Sequence, residues 1–474
     1  MMNRFFYLFA VILVIVFSCR KNNTNTDTSA KLNFSTDSIA FDTVFSRFDS
    51  NNAPLSSTRI LKIYNPYNSS IYTDIRLLGG QASVYRINID GIATDHISQY
   101  KIAPKDSFYL FVQVTPKITD ISNPLFVEDS ILFSTNGNDQ KIHLVAWGQD
   151  AHYLRDSVLD YNAVWSDKSK PYVIWNSILV SPGKKLTINK GVKVCSHVGS
   201  HIYVQGTLEM LGSASEPVVL QGDRIERNLD DVPNQWWGVR FLPGAKDNLI
   251  NYSVIKNAVV GVEIDSITVN TPTPNLAMSN TVIRTMSSSC ISAYSAKATF
   301  TNCAFFDAGQ LPVFLQYGGD YNFTYCTIAN PHCINFQSNY QSFYAGNADY
   351  NITDAAGTII KIIPSTLKCV LVNSVIYGQS SNDEEFAIYD GGRPANITLG
   401  INNCAIKTKT TSLNANGNLL NLEPKFKDMC KFNYQLDSLS PLMNKGFNLS
   451  GIVDIDILGK TRDTTPCIGA YERN

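Results

Sequence analysis

Six short segments of this chain repeat one pattern, and that pattern restricts the fold more than any other feature. They are Tyr252-Ser253-Val254-Ile255, Asn280-Thr281-Val282-Ile283, Asn302-Cys303-Ala304-Phe305, Tyr325-Cys326-Thr327-Ile328, Asn373-Ser374-Val375-Ile376 and Asn403-Cys404-Ala405-Ile406. In each, a small residue (Ser, Thr or Cys) and a bulky one two positions later share a strand face, so both point inward. Successive offsets are 28, 22, 23, 48 and 30 residues. Offsets near 23 fit one coil of a stacked structure, 48 fits two coils, and 28 or 30 fits a coil with a loop. One coil cannot bury its own inner face, whereas coils stacked ~4.8 Å apart place like upon like. About 300 residues at ~23 per coil give roughly a dozen coils, a stack on the order of 55–60 Å.

The rest of the chain divides around this region. Its 474 residues exceed what one core comfortably holds. Residues 32–150 are dense in short alternating strands, among them Arg59 to Asn65, Val84 to Ile89, Ser107 to Thr115 and Lys141 to Trp147. Turn clusters such as Gly79-Gly80, Asp90-Gly91 and Asn136-Gly137-Asn138 separate them at the spacing of a β-sandwich. Residues 151–171 read as a linker with a short helix or turn, and 172–474 carry the stacked coils and their closing segment. Net charge is −1 with 17% charged residues, so neither a nucleic-acid partner nor an acidic solvated arm is indicated.

At the N-terminus, Met1 to Arg4 is a short basic start and Phe5 to Phe17 an unbroken apolar run, followed by Ser18-Cys19. Thirteen apolar residues fall short of the ~20 that span a bilayer and suit the apolar region of a signal peptide. Residues 19–31 contain little that is apolar beyond Ala30 and read as a flexible tether.

Several strings resemble known families. A Cys directly after the apolar region, with Ser18 before it, resembles the bacterial lipobox. That resemblance implies that residues 1–18 are removed and that Cys19 is diacylated, giving an outer-membrane lipoprotein on the periplasmic side or the cell surface. Arg20-Lys21-Asn22-Asn23 follows Cys19 in place of the acidic residues associated with surface export, which leaves the side open. Ile63-Tyr64-Asn65-Pro66, Ile102-Ala103-Pro104 and Phe111-Val112-Gln113-Val114-Thr115-Pro116 look like the immunoglobulin-like sandwiches of exported proteins. Leu186 to Val192 and Ile202 to Leu208 resemble the opening coils of right-handed parallel β-helices of the pectate-lyase-like superfold. Asp454-Ile455-Asp456-Ile457-Leu458-Gly459 with Arg462, and Ile468-Gly469-Ala470-Tyr471-Glu472, resemble the close of many bacterial (Bacteroidota-like) members. Together these imply an all-β protein, an N-terminal immunoglobulin-like sandwich followed by a right-handed parallel β-helix with a C-terminal cap.

That superfold often carries polysaccharide lyases and hydrolases, so convergent acids were sought. A lyase needs carboxylates and a Lys or Arg base, and a hydrolase needs two or three carboxylates on one outer face. Candidate acids are Asp230-Asp231 (near Arg224 and Arg227), Asp383-Glu384-Glu385, Asp454 and Asp456. Neighbouring strand residues face opposite ways, so neither acidic run converges unless it lies in a loop, as Asp383 to Glu385 does. Arg224 and Arg227 keep a lyase arrangement open at Asp230-Asp231, while loop tips, turns or a partner in Arg462 are the ordinary account of these acids. Ten cysteines include no CxxC, so no metal or other cofactor is expected; Cys303, Cys326 and Cys404 take the small inward position of the repeat. One or two disulfides near the C-terminus remain compatible with the count. His197 and His201 are spaced by four, but on a strand that separates them by ~13 Å.

The best ligand candidates are Trp236 and Trp237, with Arg240 close by in Gly238-Val239-Arg240-Phe241. One Trp should face inward and the other outward, where an exposed indole beside Arg can stack on a sugar ring. The competing account is that both cover the first coils. Tyr317, Tyr321, Tyr325, Tyr340, Tyr344 and Tyr350 form a second aromatic group open to either account. The expectation is a membrane-anchored, non-catalytic lipoprotein whose β-helix contacts a polysaccharide or protein ligand. A polysaccharide-active enzyme and a structural spacer are the alternatives.

Overall fold

The computed structural model describes residues 23–46, 58–116, 124–226, 229–266, 275–331, 339–354, 356–380 and 383–473. Cys19 and the apolar leader lie outside them. The protein is all-β and divides into two compact units, residues 1–150 and 151–474. Among the described residues no helix is long and apolar enough to cross a membrane.

In the N-terminal unit two five-stranded sheets enclose one core. One sheet runs through Arg59–Tyr64, Ser107–Val114 and Tyr85–Ile89, the other through Ser38–Phe45, Asn138–Gln149, Leu125–Thr135, Ile71–Leu77 and His96–Ile102. Alternation drives this packing, since Leu61 and Ile63 face Leu110 and Val112 inward with no exposed surface. Asn65 ends its strand for a physical reason. Its buried amide donates to the carbonyls of Ser69, Ile102 and Ala103, closing the turn before Pro66. The stretch expected to be a free tether is tied down from Asn23 onward. The Asn25 N–H donates to the Ser70 carbonyl and the Ser70 N–H to the Asn23 carbonyl, the Asn136 amide donates to the carbonyls of Asn25 and Asp27, and Ala30 joins the core. Hydrogen bonds of this kind, which need no apolar side chains, leave no mark in hydropathy.

The second unit is built on a 25-stranded sheet whose pairings are parallel, an arrangement compatible with a parallel β-helix. Strands recur in three ladders. The first runs from Lys193–Ser196 through Val218–Gly222, Ser253–Lys256, Val282–Met286, Ala304–Ala308, Thr327–Asn330, Val375–Gly378 and Ala405–Ile406. The second runs from His201–Val204 through Gly238–Phe241 and Val260–Asp265 to the opening halves of Ser289–Thr301 and Val313–Thr324, then Phe343–Gly346 and Phe386–Tyr389. The third runs from Lys185–Asn189 through Thr207–Leu211, Asn248–Asn251 and Leu276–Ser279 to the closing halves of those two long strands, then Leu367–Val372 and Ile397–Asn402.

All six repeat segments stack in register in the first ladder. Ile255, Ile283, Phe305, Ile328, Ile376 and Ile406 pair rung to rung and are buried, as are the small residues two positions before them. The segments' first residues, Tyr252, Asn280, Asn302, Tyr325, Asn373 and Asn403, share a left-handed backbone with φ from 44° to 52°. Asn tolerates that conformation best among residues with a side chain, which explains why it occupies most of these corners. Asn280 and Asn302 also form a side-chain ladder down from Asn251.

Three expectations need correction. The 48-residue offset is one coil, because Thr327 pairs directly with Val375. Its extra length includes an antiparallel hairpin, Tyr350–Thr353 with Ile359–Ile363, between the second and third ladders. The supposed linker is part of the stack. His152–Leu159 and Ala163–Trp165 pair in parallel with Tyr172–Val180 and Lys185–Asn189, and Leu159 and Trp165 extend the core. Outward valines there, Val158 and Val164, are exposed and blur the inward alternation. Finally, the closing segment lies along the first ladder's outer face and does not merely cap its end. Tyr434, Ile457, Ala470 and Tyr471 pack on Ala304, Phe306 and Ala329, while Leu436, Leu442 and Ile468 pack on Val375 and Ala405.

Candidate functional site

The second ladder carries the site, because its outward residues form continuous rows. Register places Tyr203, Arg240, Glu263, Ser292, Phe314 and Tyr344 on successive rungs of one row. Beside it, Asp265, Tyr294 and Gln316 form another. At ~4.8 Å per rung, Tyr203 and Phe314 lie about 19 Å apart.

One end is an aromatic platform. Trp237 is 48% exposed and its indole stacks on His201 at 5.3 Å, which stacks in turn on Tyr203 at 4.8 Å. The adjacent Trp236 faces inward, 1% exposed, and donates its indole N–H to the carbonyl of Lys256 at 2.9 Å. The inward/outward split expected of the pair is therefore present, and only Trp237 can meet a ligand. Gly238, with φ 131°, lets this rung close, since a Cβ there would run into the carbonyl oxygen of Val260. Burial pushes the His201 pKa down against a hydrogen bond with the Gly199 backbone that raises it, with Arg240 acting in the same direction as burial.

The middle is charged. Arg240 Nε lies 3.3 Å from Glu263 Oε1, and its Nη2 lies 3.3 Å from Asp265 Oδ2. Val262-Glu263-Ile264-Asp265 alternates, which sends both acids outward and both aliphatics into the core. Burial pushes the Glu263 carboxyl up, Arg240 draws it back, and Asp265 adds to the rise. The far end is aromatic again, with Phe314 against Tyr344 at 5.5 Å, Tyr294 near Tyr317, and Tyr317 against Tyr350 of the hairpin. Burial raises the Tyr294 hydroxyl, with Glu263 adding to it.

The acids singled out from sequence are engaged elsewhere. Asp230 pairs with Lys256 at 2.5 Å and Asp231 with Arg284 at 2.6 Å, fastening their loop to the first ladder. Arg224 pairs with Glu226; Arg227 lies outside the described residues. Asp383 pairs with Lys407, Glu384 accepts from Thr408 and Lys409, and buried Glu385 accepts from Ser342 and Ser380. Asp454 accepts from Gly451, and Asp456 holds the Leu458–Lys460 turn and the Glu472 amide. His197 stacks on Trp175 and pairs with Asp223 at 2.7 Å, away from His201. Tyr321 and Tyr325 are buried, whereas Tyr317 and Tyr344 join the open face. Cys303, Cys326 and Cys404 are free thiols in the core, and burial pushes Cys404 up to about 12. Cys430 is disulfide-bonded. Among the described residues no group of three His, Cys, Asp or Glu could hold a metal.

Sequence reasoning missed Glu263 and Asp265. Their signal was the apolar/acid alternation of residues 262–265, but their meeting with Arg240 depends on a register that no local string reveals. No protein-family profile matches the chain, and no curated protein matches it either.

Proposed function

We propose that the chain is an exported lipoprotein, held to a bacterial outer membrane through a diacylated Cys19, that binds glycan without turning it over. In this reading residues 32–150 are an immunoglobulin-like sandwich and the parallel unit is a right-handed β-helix of the pectate-lyase-like superfold, the hand that parallel crossovers overwhelmingly take. The observation that carries the function is the second ladder's outer row, in which two aromatic platforms flank a pair of charged rungs. Sugars are bound this way: apolar ring faces stack on aromatics while hydroxyls bond to a few fixed polar groups. Arg240 is engaged by both neighbouring acids, which suits a binding residue better than a free catalytic base. The Cys430 disulfide supports an oxidising, exported location.

A second reading, a polysaccharide-active enzyme, draws on Glu263, a carboxyl raised by burial beside a second carboxylate. Incubating the full chain with a polysaccharide panel separates the two. Binding detected by intrinsic tryptophan fluorescence, with no unsaturated or reducing-end product, is the expected result. Turnover that disappears in Glu263→Gln establishes the enzyme instead. Palmitate labelling that is lost in Cys19→Ala is expected for the anchor.

A further inference from the structure

We infer that the second-ladder face selects glycans that lack carboxylate and sulfate groups, with amino sugars favoured; this rests on the glycan-binding reading above. The first ground is charge. One guanidinium, Arg240, stands against two carboxylates, Glu263 and Asp265 of the next rung, between the aromatic platforms. The neighbouring His201 is disfavoured as a cation by burial and by Arg240. The strip where a sugar's substituents would fall therefore carries a net negative charge. Its carboxylates are largely shielded from water, with side chains 24% and 20% exposed, and a partly buried like charge is screened less than one in open solvent. A uronate carboxylate placed there faces repulsion from both acids, while the one nearby cation is already shared between them. An ammonium meets the opposite situation. Lys297 and Lys368 belong to the third ladder, beyond the corner at Ser295, and Asp320 pairs with Lys368 there.

The second ground is hydrogen-bonding capacity. Gln316 Oε1, an acceptor, is a buried atom without a hydrogen-bond partner, whereas Arg240 Nε already faces Glu263 Oε1 at 3.3 Å. Such an unpartnered atom is costly to leave unmatched. A sugar hydroxyl or an ammonium can donate to Gln316 Oε1. A carboxylate, which only accepts, cannot.

The test uses the intact chain and three oligosaccharide sets matched in length: cello- or xylo-oligosaccharides, chitosan oligosaccharides and oligogalacturonates, titrated calorimetrically at low salt. The expected result is binding of a neutral or amino-bearing set at least tenfold tighter than of oligogalacturonate. In Glu263→Gln/Asp265→Asn, whose folding is checked by its thermal melt, that preference should narrow by about tenfold or invert. Oligogalacturonate binding as tight as the others, or tighter, overturns the inference while keeping the glycan reading. No binding by any set overturns the glycan reading itself. A preference that the double variant leaves unmoved overturns the assignment to these two acids.

Discussion

The first and second ladders of the parallel unit share coils, inward packing and register, yet their outer faces have opposite fates. The first ladder turns Ala304, Phe306, Ala329, Val375 and Ala405 outward, and the chain's closing segment covers them. The second turns out Trp237, Tyr203, Arg240, Glu263, Phe314 and Tyr344, and among the described residues no such cover lies over Trp237, which keeps nearly half its surface open. A chain that spends its last fifty or so residues on one face, and leaves a row of aromatics on another, separates structure from contact. Outward apolar residues on the first ladder exist to be buried; those on the second are available.

The sharpest way to break this contrast is to uncover the first ladder. Arg462 is the centre of its cover. Its side chain is 3% exposed, pairs with a fully buried Glu472 at 3.2 Å, donates to Asn302 Oδ1 at 2.8 Å, and lies 3.7 Å above the Tyr325 ring. Removing one partner of a buried ion pair leaves the other charge uncompensated, at about 3–5 kcal/mol. Arg462→Ala should lower stability by that amount in urea unfolding and make the segment after residue 421 the earliest site of limited proteolysis. Glycan binding at the second ladder should persist in whatever fraction stays folded.

A smaller break acts at one corner. Asn373 holds a left-handed backbone with φ 52° and is clasped by the closing segment: its amide donates to the Phe447 carbonyl and its Oδ1 accepts from the Phe447 N–H, both at 2.7 Å. Asn373→Ala loses both bonds and adds left-handed strain, so a cost of about 2–3 kcal/mol is expected. Asn373→Gly removes the strain and keeps the hydrogen-bond loss, so it should recover about 1 kcal/mol. Thermal melts of the two variants separate the contributions.

These corners also show what was legible in the sequence. The first ladder announced itself because every rung reuses one corner string, and the left-handed turn restricts that string to Asn or a well-supported Tyr. Its cover was legible as a terminal string but not as a location, since docking Ile455 and Arg462 on Asn302, and Ala470 on Thr327, is a matter of long-range contact. The second ladder reuses no string. Tyr203, Arg240, Glu263 and Phe314 come from segments with unlike sequences and irregular spacing, and they become a row only once rungs are aligned. Trp237 could be picked out by residue type alone; Glu263 could not. The hairpin Tyr350–Thr353 with Ile359–Ile363 hid a single coil inside an apparent double repeat for the same reason, as loop length carries no register.

On the open face, effects on stability should be slight and effects on binding distinct. Trp237→Ala removes an exposed ring stacked only on His201, so unfolding free energy should change by no more than about 0.5 kcal/mol. Losing an aromatic stack worth about 0.5–1.5 kcal/mol should weaken oligosaccharide binding ~2- to 12-fold. Trp236→Ala inverts the pattern. It empties a core site and strands the Lys256 carbonyl, at about 3–5 kcal/mol, measured by urea unfolding.

The smallest expected effect concerns pH and singles out Glu263. Its folded-state pKa lies above its ordinary value of 4.5, chiefly through burial, so the folded state binds the proton more tightly than the unfolded chain. The linkage sign follows: the contribution is fully present below the unfolded value and is lost as pH rises through the folded one. Stability of the native sequence should therefore decline slightly, relative to Glu263→Gln, on going from pH 4 to pH 7, and the two curves should run parallel above that window. Arg240→Gln removes the cation that draws this carboxyl down, so in that variant the decline should extend to higher pH. If the Glu263→Gln curve instead tracks the native one throughout, the carboxyl is better solvated than its rung implies, and the open face is wetter at its centre than its aromatic ends suggest.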